Sequence, residues 1–255
     1  METALNNKAY LSVQNISLFY KQNEIIISDL SFNVASNECF CILGPNGSGK
    51  STILNAVINQ IIPKSGVIKF VQENPVIAYL NQDYRQSNLL WESIIENITF
   101  PLIFQDLSIK DRYELGNNMI EKLLLEVKPN EKVYTLSGGQ QQLISIGRAI
   151  VSNPNIMICD EPLSAVDITH SLNALKQLEL SRLQREFPIL WVSHNIDEAL
   201  IVSDKIGLLS KSKKKFYKII SNPLPYPRKI EDLASVEATN LKNEIIAFLH
   251  KETIN

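Results

Sequence analysis

The stretch that decides the fold is Gly44-Pro45-Asn46-Gly47-Ser48-Gly49-Lys50-Ser51-Thr52. It fits the pattern Gly-x-x-x-x-Gly-Lys-Ser/Thr. The apolar run Cys39–Leu43 precedes it, and apolar residues at helical spacing follow it in residues 51–60. A buried strand, a glycine-rich turn and a helix in this order predict a phosphate-binding loop in an α/β protein.

The residue types of this loop suit a polyphosphate. Glycines let backbone N–H groups turn inward around phosphate oxygens, and the helix that begins near Lys50 points its positive end at the same anion. Lys50 can reach the β- and γ-phosphates, and the Ser51 hydroxyl is an oxygen ligand of the kind that Mg²⁺ takes. We therefore predict that residues 44–52 bind the phosphates of a nucleotide.

Composition limits the class of protein. The 255 residues are 45% hydrophobic and carry a net charge of -2, which is ordinary for a globular protein and argues against a nucleic-acid partner. Cys39, Cys41 and Cys159 form neither a disulfide framework nor a zinc pattern, and we expect Cys39 and Cys41 to be small core residues. We find no signal-peptide pattern and no apolar run of about 18 residues, so we expect no membrane span.

The regions around the loop differ in their patterns. Strand-like residues fill the chain from Tyr10 to Leu43, and residues 83–132 read as helices, including an apolar stretch at 121–127. Short apolar strands then alternate with helices, at residues 156–159, 168–186, 189–193 and 195–203. We predict a parallel sheet core with an N-terminal antiparallel β subdomain and an inserted α-helical subdomain. The predicted domain is 1–235, with its helical part at 83–150, followed by an amphipathic helix at 236–255 that carries Leu241, Ile245, Phe248 and Leu249.

Polar side chains follow two of the predicted parallel strands. The first strand runs into Asp160 and Glu161, which point to opposite sides because adjacent strand residues alternate. Asp160 suits a role in holding Mg²⁺, and Glu161 suits polarising a water that attacks a γ-phosphate. His194 follows the next strand, where open α/β sheets place their ligands, and we expect it to contact the γ-phosphate.

A second glycine turn, Leu136-Ser137-Gly138-Gly139-Gln140, precedes an apolar helical run that begins at Leu143. Together the motifs resemble the nucleotide-binding subunit of ATP-binding-cassette (ABC) transporters, over residues 10–209. The matching elements, in the family's order, are the loop at 44–52, Gln82 after a strand, the signature Leu136–Gln140, Ile158-Cys159-Asp160-Glu161-Pro162, Ser164-Ala165-Val166-Asp167, and His194. Leu143 departs from the family, which usually has Arg there.

The resemblance implies a P-loop NTPase core of the ABC ATPase type, with ATP and Mg²⁺ as ligands. In that family two subunits pair head to tail, and each signature loop caps the γ-phosphate held by the other. The resemblance thus assigns Ser137, Gly138, Gly139 and Gln140 to ATP binding and Asp167 to the dimer interface. It assigns adenine stacking to Tyr20, with Tyr10 as a weaker candidate, and catalysis to Glu161, His194 and Gln82. The implied metal ligands are Ser51, Gln82 and Asp160.

The implied partners are a second copy, or another ABC ATPase, and two transmembrane permease subunits that region 83–132 contacts. A solute-binding protein outside the membrane would act indirectly, and the chain would lie on the cytoplasmic face. Leu89-Leu90-Trp91 and Pro225-Tyr226-Pro227-Arg228 resemble the subgroup that imports nitrate, sulfonates, taurine or thiamine precursors, although Leu90 replaces the usual Pro. Trp91 would line the docking groove or belong to the core, and residues 211–215 would form a solvated turn or meet anionic lipid.

Two other classes of ABC protein are alternatives. A soluble ABC ATPase that scaffolds metal-cluster assembly shares the same motifs, and a membrane partner is what would distinguish a transporter from it. A DNA-repair or translation ATPase is disfavoured, because repair members insert long coiled coils and translation members carry two cassettes. This sequence has one cassette and an insert of about 50 residues, within the range of a small helical subdomain.

Overall fold

A computed structural model describes residues 9–20 and 24–254. The strands are β1 (Ala9–Phe19), β2 (Ile25–Ala35), β3 (Cys39–Leu43), β4 (Ser65–Phe70), β5 (Ile77–Leu80), β6 (Ile156–Asp160), β7 (Ile189–Ser193), β8 (Lys205–Ser210) and β9 (Lys215–Ser221). The helices are α1 (Lys50–Val57), α2 (Tyr84–Ser87), α3 (Ile94–Thr99), α4 (Ile109–Lys122), α5 (Gly138–Val151), α6 (Ile168–Arg185), α7 (Ile196–Val202) and α8 (Val236–Ile254). Short 3-10 turns lie at Phe100–Phe104, Val133–Thr135 and Ile230–Ala234.

The chain divides into two compact units. The terminal unit comprises Met1–Pro75 and Pro188–Asn255, and the middle unit comprises Val76–Phe187. In the part of the chain that the structure describes, none of the helices combines the length and the apolar content that crossing a membrane requires.

In the terminal unit, β1 lies between β2 and β4 in an antiparallel sheet. Val13 is paired with Phe32 on β2 and with Ile68 on β4. Alternate residues of β1, among them Leu11 and Val13, are buried, as expected of strands with one face on a core. The predicted N-terminal antiparallel β region is confirmed.

The same unit contains three parallel strands. β3 pairs with β7 on one side and with β8 on the other, so that Leu43 stands opposite both Ser193 and Leu208. β9 then adds to β8 in antiparallel orientation. Every residue of β3 and β7 is buried, which is typical of parallel strands covered on both faces. Trp191 and all three cysteines are buried, which confirms the core assignment of Cys39 and Cys41.

The last helix of the terminal unit, α8, buries the predicted apolar stripe. Leu241, Ile245 and Phe248 are buried and Leu249 is half-buried, and the Phe248 ring stacks on Tyr217 of β9 with centroids 5.1 Å apart. The helix is therefore part of this unit's packing, and the domain boundary at residue 235 stays a prediction.

The middle unit combines a pair of parallel strands with a group of short helices. β5 runs parallel to β6, with Leu80 opposite Cys159. The helices approach closely where glycines remove side chains: a Cβ on Gly116 would lie 2.4 Å from Ile95, and one on Gly147 would lie 3.0 Å from Leu123. Together with the sheets of the terminal unit, these elements confirm the predicted α/β class with an antiparallel sheet and helices.

Two helix predictions were too long. The helix does not continue through 121–127, because α4 ends at Lys122 and the chain turns at Leu124, whose φ is +55°. Leu123 and Leu125 are buried while Leu124 is exposed, an alternation that one helical face cannot provide. Similarly α1 ends at Val57 rather than at residue 60, because Asn59 adopts a φ of +61°.

Candidate functional site

The phosphate loop of the terminal unit requires glycine at particular positions. Gly47 and Gly49 have φ values of +74° and +100°, a region that strains residues with a side chain. Gly44 has an ordinary φ, but a Cβ there would lie 2.6 Å from the carbonyl oxygen of Leu209. The loop thus reverses between β3 and α1 in a form that only this glycine pattern permits, and Gly49 caps the helix.

Two polar side chains are buried in this loop. Lys50 turns back over it, and its Nζ donates hydrogen bonds to the carbonyl oxygens of Gly44, at 2.9 Å, and Pro45, at 3.1 Å. The Ser48 Oγ is buried without a hydrogen-bond partner among the described residues. Buried polar groups are normally satisfied, so a partner-less hydroxyl in a loop that also contains a buried lysine and leads into a helix N-terminus fits an anion-binding loop. Asn46 and Ser51 are exposed and Thr52 is half-buried.

His194 lies at the same sheet edge as this loop. Because Ser193 stands opposite Leu43 on the neighbouring parallel strand, His194 and Gly44 both come directly after paired strand ends, which lie about 4.8 Å apart in a sheet. The Ser193 Oγ donates to Glu198 and accepts the backbone N–H of Asn195 at 2.9 Å, which fixes the chain around the exposed His194. This position of His194 is compatible with the predicted γ-phosphate contact, which stays a prediction.

The two tyrosines considered for adenine stacking differ in exposure. Tyr20 directly follows β1 and has 61% of its surface exposed, and its N–H donates to the Glu24 carbonyl at 2.8 Å. The Tyr10 hydroxyl is buried, and burial raises the Tyr10 pKa. An accessible ring is what base stacking needs, so the structure favours Tyr20 over Tyr10.

The middle unit brings Gln82 and Glu161 together. Gln82 follows β5, and its Nε2 donates to the Glu161 Oε2 at 3.1 Å. Asp160 is the last residue of β6 and Glu161 follows it, with only 4% and 8% of their surfaces exposed. Burial and, after it, the charge of Asp160 raise the pKa of Tyr79 to about 12. The acidic end of β6 is therefore a confined region of negative charge.

A residue that sequence reasoning missed supports Glu161. Gln142 is buried on α5; its Nε2 donates to the Glu161 carbonyl at 3.4 Å, and its Oε1 accepts the Ala165 N–H at 2.9 Å. One amide thus links the predicted base to the loop that leads to Asp167. Gln142 is the last of three consecutive glutamines before the apolar run that begins at Leu143, so its sequence context did not set it apart from Gln140 and Gln141.

Contacts within the same chain explain why the signature turn has a serine followed by two glycines. Ser137 caps α5 by accepting the Gln140 N–H at 3.3 Å, while its own N–H donates to the Gln140 side chain at 3.0 Å. A Cβ on Gly138 would lie 2.4 Å from the Tyr84 hydroxyl, and one on Gly139 would lie 2.8 Å from the Ala165 carbonyl oxygen. Both glycines therefore allow close packing inside the middle unit, a role additional to the predicted approach to a nucleotide.

Asp167 and the signature turn line one groove. This groove, of about 770 Å³, also includes Leu124 and His170 among its lining residues. Asp167 caps α6 and its Oδ2 lies 2.7 Å from the His170 Nδ1. Hydrogen bonds from the His170 backbone and then its ring lower the Asp167 pKa. Sequence reasoning missed His170, which stands one helical turn after the capping aspartate.

The predicted metal ligands have suitable chemistry. Ser51, Gln82 and Asp160 offer hydroxyl, amide and carboxylate oxygens, which are the hard ligands that Mg²⁺ takes. Gln82 directs its nitrogen to Glu161, so its oxygen is the atom that could face a metal. Within residues 9–20 and 24–254, no cluster of three or more His, Cys, Asp or Glu side chains could hold a metal ion.

Comparison with known proteins decides the family. Residues 27–164, more than half of the chain, match the family model described as ABC transporter. The chain belongs to the ABC transporter family. The match includes the phosphate loop, Gln82 and the ABC signature Leu136–Gln140, and it confirms the predicted ABC ATPase domain.

Several curated ABC proteins are similar in sequence. The spermidine/putrescine import ATP-binding protein of Fusobacterium nucleatum is 34% identical over 196 residues, 74% of this chain and 52% of that protein. The protein of the same name from Haemophilus influenzae is 35% identical over 226 residues, 84% of this chain and 59% of that protein. An uncharacterised ABC transporter ATP-binding protein of Methanocaldococcus jannaschii is 27% identical over 256 residues, 97% of this chain and 94% of that protein.

This chain spans little more than half the length of the polyamine-import relatives that it matches. Those two relatives are named for spermidine and putrescine, so they give no support to the predicted nitrate, sulfonate or taurine subgroup. The ABC transporter part of that prediction is confirmed and the subgroup part is not.

Solved structures agree on the fold. A dimeric ATP-binding cassette in a post-hydrolysis state with ADP and phosphate superimposes with a TM-score of 0.73 and 24% identity, covering 86% of this chain and 99% of that one. The ATP-binding subunit of an ABC transporter gives a TM-score of 0.74 at 20% identity, covering 93% and 99%. These similarities confirm the predicted ABC ATPase fold.

Proposed function

We propose that this chain is the ATP-binding and ATP-hydrolysing subunit of an ABC transporter that powers uptake of a small solute. The observation that carries the proposal is the phosphate loop. Its left-handed glycines, the inward Lys50 and the buried Ser48 hydroxyl suit a polyphosphate, in a chain of the ABC family.

Each part of the site has a proposed role. Residues 44–52 bind the ATP phosphates and Tyr20 stacks on adenine. Ser51, Gln82 and Asp160 hold Mg²⁺, which neutralises phosphate charge when bound. A water forms a bond to the γ-phosphorus and gives its proton to Glu161, while the bond between that phosphorus and the bridging oxygen breaks. Gln82 orients the water and His194 contacts the γ-phosphate; proton transfer of this kind contributes about 10²–10⁴-fold to rates.

We propose that two copies, or this chain and another ABC ATPase, complete each other's sites. Ser137, Gly138, Gly139 and Gln140 would then cap the ATP held by the partner, with Asp167 at the interface. The support is that these residues line one groove and that a structurally similar cassette is dimeric. The N-terminal end of α5 offers an anion the backbone N–H groups that a γ-phosphate needs.

Region 83–132 supplies the proposed contact with two transmembrane permease subunits. Trp91 is 67% exposed and Phe104 is 81% exposed, with Ile103 beside it. Large exposed apolar side chains of this kind suit an interaction surface, and Trp91 is not a core residue. We therefore place the chain on the cytoplasmic face of a membrane, with a solute-binding protein acting indirectly from the other side.

Two hypotheses concern the class of solute that is transported. The short strings around Trp91 and Tyr226 favour nitrate, sulfonates, taurine or thiamine precursors, while the names of two relatives favour spermidine or putrescine. The alternative of a soluble ABC ATPase in metal-cluster assembly gains no support from these relatives. Co-purification with a polytopic membrane protein would support the transporter, and co-purification with a cytosolic scaffold would support the alternative.

The test of the proposed function is Glu161→Gln. The amide keeps the size of the side chain but cannot accept the proton, so we expect unchanged ATP affinity, loss of phosphate release and accumulation of a closed dimer. Lys50→Ala should instead weaken ATP binding itself. ATP turnover, calorimetric binding and light scattering measure the three quantities. Unchanged turnover in Glu161→Gln, or full turnover by a monomer without Ser137, would refute the proposal.

A further inference from the structure

The turn that joins β8 to β9, counted from Ser210, the last residue of β8, to Lys214, lies against the phosphate loop. The carbonyl oxygen of Leu209, just before this turn, is 2.6 Å from the position that a Cβ would take on Gly44. The Nζ of Lys211 is 4.0 Å from the corresponding position on Gly47. Both contacts lie inside the terminal unit. A second lysine amine, in addition to that of Lys50, therefore stands beside the phosphate loop.

The end of α8 holds this turn. The Glu252 Oε1 accepts hydrogen bonds from the hydroxyls of Ser210, at 2.8 Å, and Ser212, at 3.1 Å. Its Oε2 accepts the backbone N–H groups of Lys211, at 2.8 Å, and Ser212, at 3.1 Å. Burial of Glu252 acts to raise its pKa, but these hydrogen bonds offset that and lower the pKa below its usual value. The carboxylate is thus charged at neutral pH and bound to three consecutive residues of the turn.

Neighbouring lysines in the turn have different surroundings. The Nζ of Lys213 lies over the Tyr217 ring, 5.2 Å from its centroid, and its backbone N–H donates to the Ser210 Oγ at 3.0 Å. Lys211 instead directs its amine toward Gly47. Since the two side chains carry the same charge only two residues apart, Lys213 is a matched control for Lys211.

We propose that Lys211 is a further phosphate-binding residue of the nucleotide site and that Glu252 is the residue that positions it. This inference rests on the proposed function, because it takes residues 44–52 to bind the phosphates of ATP. A lysine ammonium attracts phosphate oxygens as a mobile point charge, so its contribution depends on where its backbone is held. The four hydrogen bonds that the Glu252 carboxylate accepts supply that constraint and give α8 a role in nucleotide binding.

The first measurement is the ATP and ADP dissociation constant of the full chain, determined by calorimetry. Lys211→Ala should weaken both by about three- to fivefold at low salt, the size of an exposed ion pair. The loss should shrink as the salt concentration rises, because the Debye length falls from about 10 Å at 0.1 M to about 3 Å at 1 M. Lys213→Ala should bind both nucleotides as the unaltered chain does.

The second measurement tests the positioning. Glu252→Ala should cause the same loss as Lys211→Ala, and the double variant should bind no more weakly than Lys211→Ala, because contacts that act through one another are not additive. Glu244→Ala is the control, since it removes a carboxylate from the same helix that pairs with Lys218 on β9. Where thermal unfolding shows that Glu252→Ala is not folded, Glu252→Gln replaces it and should show a smaller loss.

The outcomes separate this inference from the proposed function. ATP binding by Lys211→Ala equal to that of the unaltered chain would overturn the inference, and so would a further loss on adding the Glu252 substitution to Lys211→Ala. Lys50→Ala serves as the reference for a lost phosphate contact. An unaltered chain that does not bind ATP would overturn the proposed function and this inference with it.

Discussion

Gly138→Ala tests how the signature turn is packed within its own chain. The new Cβ would lie 2.4 Å from the Tyr84 hydroxyl, well inside the 3.0 Å below which real Cβ contacts are essentially absent. Overpacking of this kind costs about 1–3 kcal/mol. The preference of helices for Ala over Gly offsets up to about 1 kcal/mol of that cost. We therefore expect Gly138→Ala to lower the free energy of unfolding by about 1–2 kcal/mol.

The reasoning also predicts a specific rescue. Removing the hydroxyl with Tyr84→Phe leaves the ring carbon Cζ as the nearest atom, at 3.3 Å, a contact that a small shift relieves. In the Tyr84→Phe background, Gly138→Ala should therefore cost close to nothing, a coupling energy of about 1–2 kcal/mol that lies in the usual range for contacting residues. Gly139→Ala should not be rescued, because its Cβ would meet the backbone oxygen of Ala165 at 2.8 Å.

Urea unfolding of the unaltered chain, Gly138→Ala, Tyr84→Phe and the double variant measures the coupling energy. ATP turnover of the same four proteins separates two roles of Gly138. Restored stability with restored turnover would mean that the glycine is needed only for the Tyr84 contact. Restored stability without turnover would mean that it is also needed for close approach to a nucleotide. The steric reasoning would be refuted if Gly138→Ala destabilised both backgrounds equally.

Two further predictions concern buried and capping polar groups. Gln142→Leu removes the acceptor of the Ala165 N–H and should lower the free energy of unfolding by about 1–3 kcal/mol, measured by urea denaturation; an unchanged value would contradict the observed bridge. Because the folded-state pKa of Asp167 is lowered, its contribution is present above its unfolded pKa of about 3.9 and is lost as pH falls through the lower folded value. The stability difference between the unaltered chain and Asp167→Asn should hold from about pH 6 to pH 5 and disappear in stronger acid; a constant difference into strong acid would exclude this linkage.

The parts of the fold that the sequence predicts are those in which local pattern and burial agree. The all-apolar runs of β3 and β7 have the composition of strands buried on both faces, and their predicted and observed bounds coincide. The phosphate loop is equally local, because its glycines are required by the backbone angles of Gly47 and Gly49. The sequence predicts a glycine turn before the helical run at Leu143, whereas α5 begins at Gly138 with Ser137 as its cap; a serine with a glutamine three residues later is the local signal for that earlier start.

The residues that the sequence did not indicate act through distant partners. Gln142 meets Ala165, which is 23 residues away, and Glu252 meets Ser210, which is 42 residues away. No local pattern encodes such a pairing, because the spacing of an isolated polar residue carries no information about its partner. Leu124 is a different case: three consecutive leucines look helical by composition, whereas burial of the two that flank it requires the chain to turn.

The proposed base is held in an unusual backbone conformation by its neighbours. Glu161 has a φ of +49°, and a left-handed conformation costs a residue with a side chain about 1–2 kcal/mol. The Glu161 carbonyl accepts hydrogen bonds from Gln142 and from the Ser164 N–H, at 3.3 Å, while Gln82 binds its carboxylate. Gln142 lies on α5, whose first turn carries the signature. A displacement of α5 would therefore reach the Glu161 backbone through a single buried amide.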